Sequence, residues 1–240
     1  MVGSSVQAVL IQTILVPQGA EHQAVCRGLR QAKLIQGKPA PVVIPIPIGL
    51  AAEPVLRLRA AEMASPVLVM GLCGSLQPVH SIGAVVLYQR VLAAEHTEPA
   101  YQTDAPTTQQ WSCDATLIQQ LPQRLSPTLV TAWSSERFIQ TAAAKQQLAA
   151  VHRVEVVDME AKAILGSLPT ANVAMLRVVS DDCNHDLPDL ATAISPTGNL
   201  LPLHLTRTAL RHPIGMSRLI SGSLRGLQVL QQVTTALFSQ

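Results

Sequence analysis

Three carboxylates crowd one short stretch, VEVVDMEAKAIL at residues 154–165: Glu155, Asp158 and Glu160. Side chains of this type stabilise a cation or move a proton when they face a common point. One acid in the first turn of a helix is favoured by the exposed amides there and needs no further reason; three are more than that reason covers. Glu21 stands just beyond the apolar run that ends at Pro17, in the segment Pro17-Gln18-Gly19-Ala20-Glu21. Asp181 and Asp182 follow Ser180 at the end of NVAMLRVVS. Each also has an ordinary reading: Glu21 as a helix N-terminal acid, Asp181 as a cap or turn residue, Met159 as core filler.

Two further stretches carry ligand-binding residue types. GLCGSL, residues 71–76, has two glycines that permit close backbone approach. It lacks both the GxGxxG spacing and a Walker lysine, so it is a weak phosphate motif by itself. Asp181-Asp182-Cys183-Asn184-His185-Asp186 is rich in potential metal ligands but follows neither an EF-hand loop nor a tetrahedral zinc spacing, and no metal is expected there.

The elements that must position these residues follow from periodicity. Short apolar, β-branched runs recur at AVLIQTILV, PVVIPIPI, PVLVMG, GAVVLYQ, TLVTAW, RVEVVD and NVAMLRVVS. Helical patterns lie between several of them, as at residues 21–34 and 141–152. Strands alternating with helices predict an α/β fold with a largely parallel sheet. Ligands of such sheets bind beyond the carboxyl ends of the strands, where Glu21, GLCGSL, Asp158-Met159-Glu160 and Ser180-Asp181-Asp182 all fall. The polar stretch 97–110 reads as an excursion loop. After SPTGN, residues 195–199, come two helical segments separated by Pro213. The second carries Met216, Ile220, Leu224, Leu227, Leu230 and Leu237 at helical spacing. The organisation expected is an α/β domain over residues 1–195 and an amphipathic helical extension over 196–240. That extension packs on the body or on a partner subunit, with contact to a membrane surface as the alternative.

Composition narrows the partners. Of the 240 residues, 48% are hydrophobic and 13% charged, which excludes a disordered chain. Aromatics at 2% leave too few rings to stack nucleic-acid bases, and a net charge of +2 singles out no polyanion. The four cysteines are widely spaced, with no CxxC pair, and reduced thiols in a cytoplasmic protein are expected. The start of the chain has no basic n-region and only a short apolar run, so neither a signal peptide nor a bilayer span is expected.

The order MGLCGSLQPVHSIGAVV, VVDMEAKAIL, LRVVSDD resembles the purine nucleoside phosphorylase and methylthioadenosine/adenosylhomocysteine nucleosidase superfamily over roughly residues 9–190. The C-terminal run from DLPDLATAISPTGNL through LRHPIGMSRL is most similar to its hopanoid-associated branch, whose members are expected to act on adenosylhopane. The resemblance implies a single nucleoside phosphorylase-like α/β domain with a central mixed, mostly parallel sheet flanked by helices. It also implies cleavage of the N-glycosidic bond of a 5'-substituted adenine nucleoside by water or phosphate. Glu160 would bind the ribose hydroxyls beside the reacting carbon, Asp181 would protonate the purine at N7, and Glu21 would activate the attacking water. Met159 would pack on the sugar and Phe138 and Ile139 would cover the base. Gly71, Cys73, Gly74 and Ser180 would complete the substrate site, with Asp158 and Glu155 as scaffold. No cofactor is implied, phosphate being a conceivable co-substrate, and a homo-oligomer is expected.

The sequence departs from the family pattern where phosphate would bind. Leu72 and Ser75 replace a serine and a glycine of the nucleosidase glycine turn, Pro47-Ile48-Gly49 has lost one glycine, and Val69-Met70-Gly71-Leu72 stands where phosphorylases carry Arg-x-Gly-Ser. Leu72 brings neither charge nor a side-chain donor to a phosphate dianion. Arg27 and Arg137 are left to supply charge, and hydrolysis gains on phosphorolysis. A nucleoside-binding relative with weakened chemistry is the alternative reading.

Overall fold

The computed structural model describes residues 11–32, 39–95, 108–121, 125, 127–189 and 212–239. Its strands are β1 (Thr13–Pro17), β2 (Val42–Ile46), β3 (Val67–Ser75), β4 (Val85–Ala94), β5 (Thr108–Ser112), β6 (Thr128–Ser134), β7 (Val156–Asp158) and β8 (Val173–Asp181). The helices of the body are α1 (Ala20–Gln31), α2 (Ala52–Arg59), α3 (Ala115–Gln120), α4 (Ala142–His152) and α5 (Ala161–Ser167); a long α6 (Pro213–Phe238) follows.

One mixed sheet holds all eight strands in the order β2-β1-β3-β7-β6-β4-β5, with β8 pairing both β3 and β4. The pairings β3–β8, β8–β4, β4–β6, β6–β7 and β7–β3 therefore close a ring. Most neighbours are parallel, as expected, but β7 runs antiparallel to β3, with Gly74 opposite Val157 and Ser75 opposite Val156. This alters how the acids meet. Glu160 does not arrive from a strand end beside Asp181; it follows a strand that runs back along β3 toward the level where Gly71 pairs with Arg177.

GLCGSL is strand, not turn. β3 continues through Ser75 because both its edges are occupied there, by β8 and by β7. A register shift between Cys73 and Gly74 sets Gly74 opposite Asp181. Ser75, where the family has glycine, folds its hydroxyl onto the Gln77 carbonyl at 2.6 Å and starts the exit turn itself. Within the stretch read as an excursion loop, Thr108, Gln109 and Gln110 belong to β5 and pair with β4; residues 97–107, like SPTGN and the first C-terminal helical segment, lie outside the described residues.

Pro213 begins α6 at the first helical turn, where its missing N–H costs nothing. α6 buries part of the face its apolar residues mark: Met216 and Leu230 are buried and Leu227 and Leu237 pack against the core. Met216, Gly222, Gly226, Leu230, Val233 and Thr234 are buried, whereas Ile220 and Leu224 are 51% and 62% exposed. Close approach decides this: glycines let the helix lie directly on α1 and β8. A Cβ on Gly222 would strike the Ser180 carbonyl oxygen, and one on Gly226 would sit 3.0 Å from Leu72 Cδ2. No helix among the described residues is long and apolar enough to cross a membrane.

Gly28 of α1 makes the close approach to α6. A Cβ there would lie 2.6 Å from both the Gln231 carbonyl oxygen and Thr234 Cβ, neither able to swing away. Gly28→Ala should lower the unfolding free energy by roughly 1–3 kcal/mol in denaturant titration. Gly166→Ala, whose Cβ meets nothing within 4 Å, should be neutral or slightly stabilising.

Candidate active site

Gly19 opens the site. Its φ of 94° turns the chain from β1 into α1 without a Cβ penalty and puts Glu21 in the first turn of that helix. The helix end is not where the carboxylate goes: its Oε1 accepts the Leu72 backbone N–H at 2.6 Å, across from β3. Leucine in place of the family's serine thus removes a hydroxyl but keeps an amide donor. Gly49, with φ 69°, aims its own N–H at Glu160 Oε1, 3.1 Å away.

Beneath these acids lies Arg177, fully buried in the middle of β8. Its Nη2 is 3.3 Å from Asp158 Oδ2 and 3.3 Å from Glu160 Oε2. Asp158 also accepts the Ala161 N–H at 3.2 Å through Oδ1 and so holds the start of α5. Gly71 is the space that makes this possible: a Cβ there would run into the Arg177 guanidinium and come within 2.7 Å of Glu21 Oε1.

One guanidinium among three enclosed carboxylates cannot balance them, and their affinities for protons rise. Burial, then the charge of Glu160, pushes Glu21 from an ordinary 4.5 to about 7, against the opposing pull of Arg177 and the Leu72 amide. Burial likewise raises Asp158 and Glu160, with Arg177 pulling the other way in both. Burial works against the charge of Arg177 too, but Asp158 and Glu160 outweigh it and hold the side chain protonated. Cys73, next to this group, has its thiol pushed well up by burial and is no nucleophile.

Above the cluster is a cavity of about 190 Å³. Glu21, Glu160 and Asp181 all line it, as do Met159, Phe138, Ile139, Cys73, Gly74 and Ser180. Positions far apart in the chain therefore share one space. Gly71 does not line it; it lies in β3 and makes room for Arg177 instead of touching a ligand. Gly74 gives close approach of a different kind, since a Cβ would sit 2.8 Å from Asp181 Oδ2. Phe138 and Ile139 are presented by a turn that Ser135 ties down, its Oγ donating to the Arg137 carbonyl at 2.6 Å. Glu155 is outside the cavity and accepts the Thr131 N–H at 2.9 Å.

Two cations in the site did not stand out in the sequence. Arg177 had a signal: it is the lone basic residue in an otherwise apolar strand, and such a charge must find buried acids. Lys145 had none, as one lysine in an alanine-rich helix. It is 1% exposed, and its ammonium donates to Asp181 Oδ2 and, at 2.7 Å, to the Asp182 carbonyl. The Ser180 hydroxyl lies 3.0 Å from the other Asp181 oxygen. Of the cations proposed for phosphate, Arg137 is at the cavity wall, while Arg27 donates to Gln231 at 3.1 Å on the α1–α6 surface. The acids of the Asp182–Asp186 stretch are engaged by backbone amides: Asp182 accepts the N–H groups of Asn184 and His185 in its own loop, and Asp186 that of Ala142 at the start of α4. Among the described residues no group of three or more such side chains is placed to hold a metal ion.

The model of the Phosphorylase superfamily matches residues 12–198. The chain belongs to this superfamily. No curated protein sequence matches it. Solved structures with the same fold include the futalosine hydrolase of Helicobacter pylori strain 26695, at 12% identity and a TM-score of 0.66 over 95% of this chain and 97% of that one. The Streptococcus pneumoniae MTA/SAH nucleosidase in complex with 8-aminoadenine aligns at 18% identity and a TM-score of 0.62, over 95% and 100% of the two chains. The Helicobacter pylori 5'-methylthioadenosine/S-adenosyl homocysteine nucleosidase aligns at 12% and 0.64, over 96% and 98%. At these identities the structures establish a shared fold. Within it, this superfamily member has an acid at each of positions 21, 160 and 181 around one cavity.

The raised Glu21 has a consequence for stability. A carboxyl that binds its proton more tightly when folded weakens the fold as pH rises from the ordinary 4.5 through about 7, and the whole penalty is present above that. Glu21→Gln removes the penalty. Thermal unfolding at pH 8 should show a higher Tm for the variant, and near pH 4 the two proteins should melt together.

Proposed function

We propose that this protein cleaves the N-glycosidic bond of a purine nucleoside, releasing adenine from a 5'-substituted adenosine, with water as the nucleophile. The observation that carries the reading is the joint presence of Glu21, Glu160 and Asp181 at one cavity, half of whose remaining lining is apolar: Ile48, Leu72, Phe138, Ile139, Val157 and Met159. Breaking the C1'–N9 bond leaves positive charge on the ribosyl ring and sends an electron pair to the base, and protein groups must meet both.

Glu160 faces the positive side. Anchored by Arg177 and the Gly49 amide, its carboxylate is held in place to bind ribose hydroxyls and stabilise the oxocarbenium-like carbon. Asp181 faces the base and supplies the N7 proton. Glu21, held by the Leu72 amide, takes a proton from the attacking water. A group titrating near 7 is well matched to that task at neutral pH. Water is favoured over phosphate by charge. Glu21, Asp158 and Glu160 gather at the cavity, Arg177 is fully buried beneath them and Lys145 is bound to Asp181, which leaves Arg137, among the described residues, as the one lining cation not paired with these acids. Ligand sites commonly enclose roughly 300–1,000 Å³, so this cavity holds the reacting part of the nucleoside. The 5' group then projects along the apolar wall, which suits a substituent of the methylthio or adenosylhopane type.

Product analysis with 5'-substituted adenosines should show free adenine and a free sugar, at the same rate with and without inorganic phosphate. A sugar 1-phosphate would assign phosphorolysis, and no adenine despite nucleoside binding would leave a binding protein. Asp181→Asn and Glu160→Gln should each cut kcat by about 10²–10⁴-fold with the fold intact. The kcat/KM of the unsubstituted protein should rise with pH through about 7 as Glu21 ionises.

A further inference from the structure

Lys145 is the only buried residue of α4, an 11-residue helix whose other side chains are partly or fully exposed. It follows Thr141, the N-cap, and stands near the helix N-terminus, where a cation is opposed by the macrodipole. Neither helix stability nor packing accounts for it. Burying an ammonium costs several kcal/mol per ion unless partners repay it, and an apolar residue would usually do as well for the fold. Its partners are the Asp181 carboxylate and the Asp182 carbonyl, and the side chain lines the cavity that Asp181 faces.

The Lys145 ammonium donates to one Asp181 oxygen, while the Ser180 hydroxyl is shared between the other, at 3.0 Å, and the Cys73 carbonyl, at 3.2 Å. An acid whose oxygen receives a hydrogen bond from a buried ammonium has a proton donor directly behind it, on the cavity wall. We propose that Lys145 carries the proton that leaves with the base and delivers it through Asp181. This rests on the reading of Asp181 given above. When a nucleoside fills the cavity, a proton crosses from Lys145 Nζ to Asp181. As C1'–N9 breaks, its electron pair moves onto the purine and the Asp181 proton moves to N7. Asp181 is left as carboxylate and Lys145 as neutral amine, which regains a proton from water once the base has gone. The proton of the attacking water goes separately to Glu21.

The test compares two leaving groups: a purine nucleoside, which must be protonated, and p-nitrophenyl riboside, whose leaving group departs as a stable anion. For Lys145→Gln and Lys145→Met we expect kcat on the purine nucleoside to fall about 100-fold with KM changed less than about threefold, and the p-nitrophenyl rate to be largely spared. Lys145→Arg keeps the charge but cannot release a proton, and should stay impaired on the purine nucleoside alone. If removing one partner of the pair unfolds the protein, the neutral pair Lys145→Met/Asp181→Asn carries the comparison, and it should be no slower on the purine than Asp181→Asn alone. Equal losses on both substrates, or a Lys145→Arg enzyme at full speed, would overturn the proton-store role. An unsubstituted protein that cleaves neither substrate would instead overturn the proposed function itself.

Discussion

A buried guanidinium outnumbered by carboxylates organises this molecule. Arg177 sits at zero exposure between Asp158 and Glu160, with Glu21 just beyond. Without it, three acids could not be held in one dry pocket; with only one such cation, they cannot all be ionised comfortably. Burial, with the uncompensated charge of Glu160 added to it, lifts Glu21 to about 7, where it can accept a proton near neutral pH. The surrounding backbone answers to the same group. Gly71 has no side chain because the guanidinium occupies that space, and β7 is antiparallel to β3, so the chain that follows it brings Glu160 back alongside the arginine.

The second organising feature is close backbone contact behind the site. Gly222 and Gly226 bring α6 against Ser180 and Leu72, residues that also line the cavity, while Gly28 lets the same helix lie on α1. The C-terminal helix therefore supports the strand that presents Asp181. Its exposed Ile220 and Leu224 face away from that contact. A helix that looks like an amphipathic appendage in the sequence backs, in three dimensions, the wall of the cavity.

The candidate site residues are legible in the sequence because they lie in short, contiguous stretches. DME at 158–160 and SD at 180–181 sit at the ends of β-branched runs, and both the α/β alternation and the acids at strand ends are local patterns. GLCGSL was misleading for an equally physical reason. Glycines weaken an isolated strand, but here both neighbours pair with β3 and carry it through Ser75. The inward face of α6 is only partly marked by its apolar residues, because hydrophobic periodicity picks out Met216, Leu227, Leu230 and Leu237 but not the glycines on which the tight contact depends.

The sequence by itself determined which acids exist, the α/β class and the presence of a lone arginine in an apolar strand, since composition and period-two or helical patterning are carried by adjacent residues. Tertiary structure decided the rest. Strand direction placed Glu160 over Arg177, closure of the ring brought β8 beside β3, and the inward turn of α4 put Lys145 on Asp181. Those outcomes depend on pairings between segments tens of residues apart, and burial there converts ordinary carboxylates into groups with shifted proton affinity. No local pattern encodes that, because the dielectric and the neighbouring charges appear only once the chain has closed around them.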